Sequence, residues 1–275
     1  MPSEQKIAIL GAGNIGLSIA RGLVASRNFS ANQIILTRRK IQHLEPLKKE
    51  GFIILSDNQK ATKESDILLL CVEPQQIKSL LLEIRDNLNP QKHLLISIVS
   101  GVSIDEILRL CDKKMSVVRA MPNTAISIRE SMTCLASNDS DGGSLPAAEK
   151  IFDSLGATLI IEEEQMVPAT ALCACGIAFF LRAIRAASQG GIEIGFASDV
   201  ALEIAAQTAK GAAALLQSSK LHPEREIDKV TTPRGCTIAG LNRMEHEGFS
   251  SAIIKGIVTS CEKASQLYTK NDSKS

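Results

Sequence analysis

IAIL at 7–10 runs without a break into GAGNIG at 11–16, and the reading of the whole chain turns on this junction. Four apolar residues in a row are what a strand covered on both faces by helices requires. A turn follows, then a helical pattern carrying Ile19, Gly22 and Leu23 on one side. Gly11 permits the tight turn, Gly13 leaves no side chain between backbone and a pyrophosphate, and Gly16 lets the helix lie close to the strand. The free N–H groups at the helix start then face an anion. The expected dinucleotide contacts are therefore Gly11, Ala12, Gly13, Asn14, Ile15 and Gly16. A glycine-rich turn that binds nothing is the alternative, and the strand before, helix after and next β-run weigh against it.

Outward from that junction, short β-branched runs alternate with helix-length segments: QIILT at 33–37, FIIL at 52–55, DILLLCV at 66–72, HLLISIV at 93–99 and MSVVRA at 115–120. This interleaving predicts an α/β fold with a parallel, doubly wound sheet, which SMTCLA near 131–136 and ATLII near 157–161 would complete. Past Glu162 to Glu164 the texture changes. No strand-like run appears between Gln165 and Tyr268, only Ala-rich segments such as VALEIAAQTAKGAAALLQ with small residues at helical spacing. The expected domains are 1–164, binding the nucleotide, and 165–275, entirely helical.

The second strand ends in Thr37, Arg38 and Arg39, where an NAD-selective chain carries an acid for the ribose diol. A hydroxyl and two guanidinium groups suit a 2′-phosphate instead, so NADPH is the expected cofactor, with NADH possible. Ligands of open α/β sheets sit beyond the carboxyl ends of the strands. That places Val72, Glu73 and Pro74, and Met121, Pro122 and Asn123, next to the cofactor, with Asn123 and Thr124 near the nicotinamide. Ordinary turn chemistry is the competing account of each of these segments.

Composition removes other classes. In 275 residues, 31 Lys and Arg oppose 30 Asp and Glu, with no Trp and one Tyr, so there is neither a basic footprint nor a stacking platform for nucleic acid. Seven Cys without a CxxC, and four well separated His, give no metal-ligand spacing, and no metal is expected. Met166 to Leu181 is uncharged but Pro168 interrupts it and it falls short of the 18 or more residues of a membrane span, so no membrane association is expected. The opening residues lack a basic segment leading into an apolar core, and with the thiols they point to the cytoplasm. The apolar stretches 172–184 and 212–216 exceed what a lone helical lobe can cover, which predicts a homodimer through that half.

GAGNIG, CVEPQ at 71–75, SIVSGV at 97–102, RAMPNTA at 119–125 and HPEREIDKVTTPRGCTIAGLNRMEHEGF at 222–249, in this order, resemble the pyrroline-5-carboxylate reductases over nearly the full chain. The resemblance implies a Rossmann-type dinucleotide-binding domain and a helical dimerisation domain that assembles into dimers or larger rings. It also implies reduction of 1-pyrroline-5-carboxylate to L-proline with NAD(P)H. Pro233 and Gly235 make a turn from which the N–H groups of Cys236, Thr237, Ile238 and Ala239 would hold a carboxylate. Thr237 matches the family's substrate-contacting threonine, the one catalytic candidate; read from the residues alone it is better explained as a helix cap, and the family match reverses that. Gly235 and Cys175 complete the substrate set. The chain departs from the family at 173–177, CACGI in place of a Ser-Gly-Ser-Gly-Pro run, at Arg234 in place of glycine, and at Glu73 in place of lysine. These departures leave two other readings open: a sister reductase of another small imine, and a non-catalytic NADP-binding sensor.

Overall fold

The computed structural model describes residues 5–139 and 143–272. Eight strands form one sheet: β1 (Ile7–Leu10), β2 (Ile34–Thr37), β3 (Ile53–Leu55), β4 (Ile67–Leu70), β5 (Leu94–Ser97), β6 (Val117–Met121), β7 (Ser131–Ser137) and β8 (Gly156–Ile160). Their spatial order is β3-β2-β1-β4-β5-β6-β7-β8. Interleaved are α1 (Asn14–Ala25), α2 (Glu45–Lys49), α3 (Asn58–Lys63), α4 (Pro74–Ile84), α5 (Ile104–Cys111) and α6 (Ser144–Phe152). Two apolar layers result, one holding Ile7, Ile9 and Ile19, the other Ala8, Leu10 and Leu68, which is why β1 is fully buried and apolar throughout.

The sheet is not wholly parallel, which corrects the expectation from sequence. β7 pairs antiparallel with β6, and β8 runs parallel to β7. Only residues 122–130 join β6 to β7, and they hold one 3₁₀ segment, Thr124–Ile128. A parallel return needs a crossover of about a dozen residues or more, so the chain reverses.

Beyond the sheet come α7 (Met166–Ala169), a π-helical turn Thr170–Cys175, α8 (Gly176–Glu193), α9 (Ser198–Ser219), α10 (Pro223–Lys229), α11 (Cys236–His246) and α12 (Phe249–Asp272). Helical turns run on from Glu163 to Glu193, 31 residues whose most apolar window has mean hydropathy 1.8, long and apolar enough to cross a membrane. The break expected at Pro168 is absent, because the proline falls in the first helical turns, where its missing N–H has no partner to lose.

Contacts divide the chain into two compact units, one of residues up to Cys175 together with those from Ser260, the other Gly176–Thr259. The change of composition at 165 precedes this division, since Met166 is buried with Met121, Cys134 and Ala136 of the sheet. Glu163 fastens the same passage. Its Oε1 lies 3.0 Å from Nη1 of the buried Arg119 on β6 and accepts the N–H of Ile104 at 2.7 Å, at the start of α5. The second unit pairs α8 with α9, where Gly191 lets Ala201 approach. Its outer surface is unusually apolar: Phe180 is 66% exposed and Ile194 77%.

Candidate active site

In the first unit a cleft of about 680 Å³ opens beside the carboxyl ends of β1, β2 and β4. Its floor is the glycine turn. Gly11 has φ +90°, and a Cβ there would meet Val72 Cγ1 at 2.5 Å. The N–H of Ala12 donates to the Thr37 carbonyl at 2.8 Å, that of Gly11 to Thr37 Oγ1 at 3.4 Å, and that of Gly13 to the Gly11 carbonyl at 2.7 Å. Ala12 and Thr37, both buried, are thus the frame of the turn, and the Ala12 N–H expected at a pyrophosphate is already used. Gly13 is the N-cap of α1 and carries no side chain to cap it, while Leu17 N–H closes back on its carbonyl at 2.9 Å. The N–H groups of Asn14, Ile15 and Gly16 therefore have no helical carbonyl to bond and face outward at the positive end of the helix.

Arg38 and Arg39 line one wall with Lys40, and no ion pair ties up any of the three among the described residues. The opposite wall is α4. Val72 and Glu73 lead into it, and Gln76, Ser79, Leu80 and Glu83 extend the wall at helical spacing. Glu73 is the N-cap of α4 with Pro74 at the first position, and its side chain makes no cap hydrogen bond to that helix. Asn58 Nδ2 donates to Glu83 Oε2 at 3.0 Å on the rim. Cys71 also borders the cleft, and burial pushes its thiol far above the ordinary range, making it inert.

Met121, Pro122 and Asn123 lie at the end of β6, outside the lining of this cleft. Met121 and Pro122 are buried. The Asn123 amide oxygen accepts the Ala125 N–H at 3.0 Å, capping the 3₁₀ segment, and its backbone N–H donates to Ser131 Oγ at 3.1 Å. The side-chain oxygen expected near a nicotinamide is therefore engaged.

In the second unit, α11 begins at Cys236 with Gly235 as N-cap. Thr237 stands at the second helical position, so it is not the cap of its own helix, and its exposed hydroxyl has no partner among the described residues. The N–H groups of Cys236, Thr237 and Ile238 have no helical carbonyl, whereas Ala239 N–H reaches the Gly235 carbonyl at 3.4 Å and leaves the expected cradle. A Cβ on Gly235 would strike Thr232 Oγ1 at 2.5 Å, and Arg234 before it adopts φ +61°. Cys175 ends the π-helical turn of the first unit.

Lys40, Asn58, Gln76, Ser79, Leu80 and Glu83 escaped the sequence reading. Lys40 adjoins two arginines already singled out, and the 76, 79, 80, 83 spacing is a helical stripe that a search of α4 finds.

A glycine turn under a helix start, beside a cationic strand end, in an open α/β sheet defines a dinucleotide-dependent oxidoreductase. A family model described as NADP oxidoreductase, coenzyme F420-dependent, matches residues 6–101, and one described as pyrroline-5-carboxylate reductase dimerisation matches 163–267. Pyrroline-5-carboxylate reductase 2 of Dictyostelium discoideum is 50% identical over 97% of this chain and 94% of its own length. Pyrroline-5-carboxylate reductase 1 of the same organism is 55% identical over 97% of this chain, which spans half of that relative. A pyrroline-5-carboxylate reductase structure from Coxiella burnetii superposes with a TM-score of 0.89 at 28% identity, covering 96% of this chain and 99% of the other. The chain belongs to the pyrroline-5-carboxylate reductase family.

Proposed function

We propose that this protein reduces the C=N bond of 1-pyrroline-5-carboxylate with a hydride from NADPH, giving L-proline. The observation that carries the cofactor assignment is the cleft: N–H groups of Asn14, Ile15 and Gly16 without helical partners, no side chain at Gly13, and Arg38, Arg39 and Lys40 on the wall where a 2′-phosphate belongs. Those residues fit a phosphorylated dinucleotide, and the bound nicotinamide supplies the hydride. Gly11, Ala12 and Thr37 hold the turn, and Val72, Glu73 and Pro74 bring α4 against the same cleft.

The substrate is a cyclic imine with a carboxylate. In this reading the Cys236, Thr237 and Ile238 amides hold that carboxylate, and the Thr237 hydroxyl points a hydrogen bond at the ring nitrogen. An imine protonates near neutral pH, so its iminium carbon already accepts hydride without a strong acid. Orientation then carries the rate, and well-held reactants gain up to ~7–11 kcal/mol.

The apolar outer surface of the second unit falls within the segment matched by the dimerisation model, and a second copy of the chain is what we assign to cover it. The same partner covers the exposed apolar residues of α8, and seven free cysteines suit a reducing cytoplasm.

The test is NADPH oxidation by purified protein on adding 1-pyrroline-5-carboxylate, with Thr237→Ala alongside. Turnover is expected in the wild type and a clear loss in the variant with cofactor affinity kept. No substrate-dependent oxidation across a broad pH range, or equal turnover in the two proteins, overturns the assignment. Light scattering that returns a 29.5 kDa particle at micromolar concentration overturns the dimer.

A further inference from the structure

Side chains alternate along β7, sending Ser131, Thr133 and Leu135 to one face and Cys134 and Ala136 to the other, where Met166 and Cys173 pack. Directly across the antiparallel ladder from Cys134 is Met121. The turn that carries Cys173 is π-helical, a local widening that often marks function. It sets the Cys173 sulfur 2.9 Å from the Met132 carbonyl and 3.5 Å from the Met121 carbonyl, the first two residues before Cys134 and the second opposite it. Cys134, itself buried, belongs to the apolar cluster against which Cys173 packs, and the two thiols are close enough to perturb each other's titration.

We propose that Cys134 and Cys173 are a redox-active dithiol, oxidised by a hydroperoxide to an intrachain disulfide and restored by a thiol reductant. Donation from Cys173 draws the Cys134 thiol down to about 7, while the same bond and burial hold the Cys173 proton on. In this proposal Cys134 is the nucleophile and Cys173 the resolving thiol, an order that the single serine variants decide. The Cys134 thiolate attacks the peroxide, the O–O bond breaks, an alcohol or water leaves, and Cys134 becomes a sulfenic acid. The Cys173 sulfur then displaces that hydroxyl as water, its own proton leaving with it, and the S–S bond forms. Two thiols have lost two electrons and two protons, and the hydroperoxide has gained them.

The setting favours this over other chemistry. Among the described residues no third His, Cys, Asp or Glu joins the pair to hold a metal ion. Cys111 is pushed up to about 12 by burial, and Cys71 is raised by the same cause, so neither competes as a thiolate. Cys173 stands where the family usually has serine, so the pair belongs to this chain's own departures. Forming the disulfide takes the Cys173 donor away from the Met121 and Met132 carbonyls. Because Met121 leads into Pro122 and Asn123, oxidation is expected to lower turnover; this consequence, unlike the disulfide, rests on the reductase reading.

The experiment exposes reduced full-length protein to equimolar hydrogen peroxide, alkylates the remaining thiols, and maps peptides by mass spectrometry. The wild type is expected to yield a single cross-link, Cys134 to Cys173, with two free thiols lost and both regained in dithiothreitol. In Cys173→Ser, Cys134 is expected to stop at a sulfenic acid that dimedone traps, and in Cys134→Ser, Cys173 is expected to stay a thiol. A cross-link through Cys175 or between chains, equal oxidation of Cys173 in Cys134→Ser, or no cross-link at an exposure that oxidises the exposed Cys236 overturns the proposal. A verified disulfide with full turnover overturns its effect on the site. A reduced protein without turnover counts against the reductase reading alone, since the cross-link is measured independently.

Discussion

Replacing Gly13 by alanine separates nucleotide binding from folding. A Cβ at Gly13 meets only the Gly11 carbonyl oxygen, at 3.9 Å, an ordinary contact, and the residue's φ of −87° suits any L-residue. As an N-cap, alanine is poorer than glycine by about 0.5–1 kcal/mol, but losing glycine's freedom in the unfolded chain returns about 0.4–1 kcal/mol. Stability should therefore move by no more than ~0.5 kcal/mol. The new methyl occupies the approach to the Asn14, Ile15 and Gly16 amides. Losing one charge-assisted hydrogen bond costs about 1.5–3 kcal/mol, or roughly 10- to 150-fold in Kd for NADPH. Gly11→Ala is the contrasting case. Its Cβ would sit 2.5 Å from Val72 Cγ1 and 2.9 Å from the Cys71 carbonyl oxygen at φ +90°, so it should unfold at distinctly lower urea. Titration by nicotinamide fluorescence and urea unfolding read the two quantities separately. A Gly13→Ala protein that binds NADPH like the wild type, or that unfolds as early as Gly11→Ala, refutes the reasoning.

Other perturbations read other parts of the molecule. The double substitution Arg38→Ser with Arg39→Ser should weaken NADPH more than about tenfold and NADH hardly at all, since only the 2′-phosphate loses charge-assisted bonds; equal losses in parallel titrations would remove the phosphate from that wall. Glu163→Gln withdraws the carboxylate from Arg119, whose side chain is 3% exposed, and weakens the bond to Ile104 N–H. Because Glu163 itself is 30% exposed and Arg119 has a further partner, the expected loss in urea unfolding is that of charge-assisted hydrogen bonds, ~1.5–3 kcal/mol, and an unchanged midpoint would discard the clamp. His93 is buried and its imidazole is held below the ordinary 6.5, chiefly by desolvation and then by Lys92. The unfolded chain therefore takes up that proton first, so stability should fall as pH drops from 6.5 toward the folded value, and His93→Gln should flatten the decline between pH 7.5 and 5.5; parallel slopes in the two proteins would reject His93 as its source.

The elements were legible because burial on both faces leaves a mark that no surface strand shares: continuous apolar runs at β1, β2 and β4. Strand direction leaves no such mark. The reversal at β7 is encoded only in the shortness of residues 122–130, which the strand patterns do not report. In the site, the glycines and arginines could be identified because their chemistry is local. What the residues alone do not report is that some of these polar groups are engaged by partners that only the folded chain supplies: Ala12 N–H by Thr37, Thr37 Oγ1 by Gly11, and Asn123 Oδ1 by Ala125. Glu163, in an acidic trio that marks a change of texture, found a buried arginine 44 residues away in sequence.

The three departures from the family pattern have a common physical character. Arg234 occupies φ +61°, the left-handed conformation that glycine takes freely and that costs another residue about 1 kcal/mol or more, yet Gly235 N–H still closes on the Thr232 carbonyl at 2.9 Å. Glu73 has the extended N-cap backbone that leads into Pro74, and its side chain leaves that cap unmade. Cys173 keeps a donor toward the Met132 carbonyl, as a serine hydroxyl would. At each position the backbone role survives and only the chemistry of the side chain changes. Substitutions of that kind change charge and reactivity locally, so differences from other members should appear in affinities and in thiol chemistry before they appear in the fold.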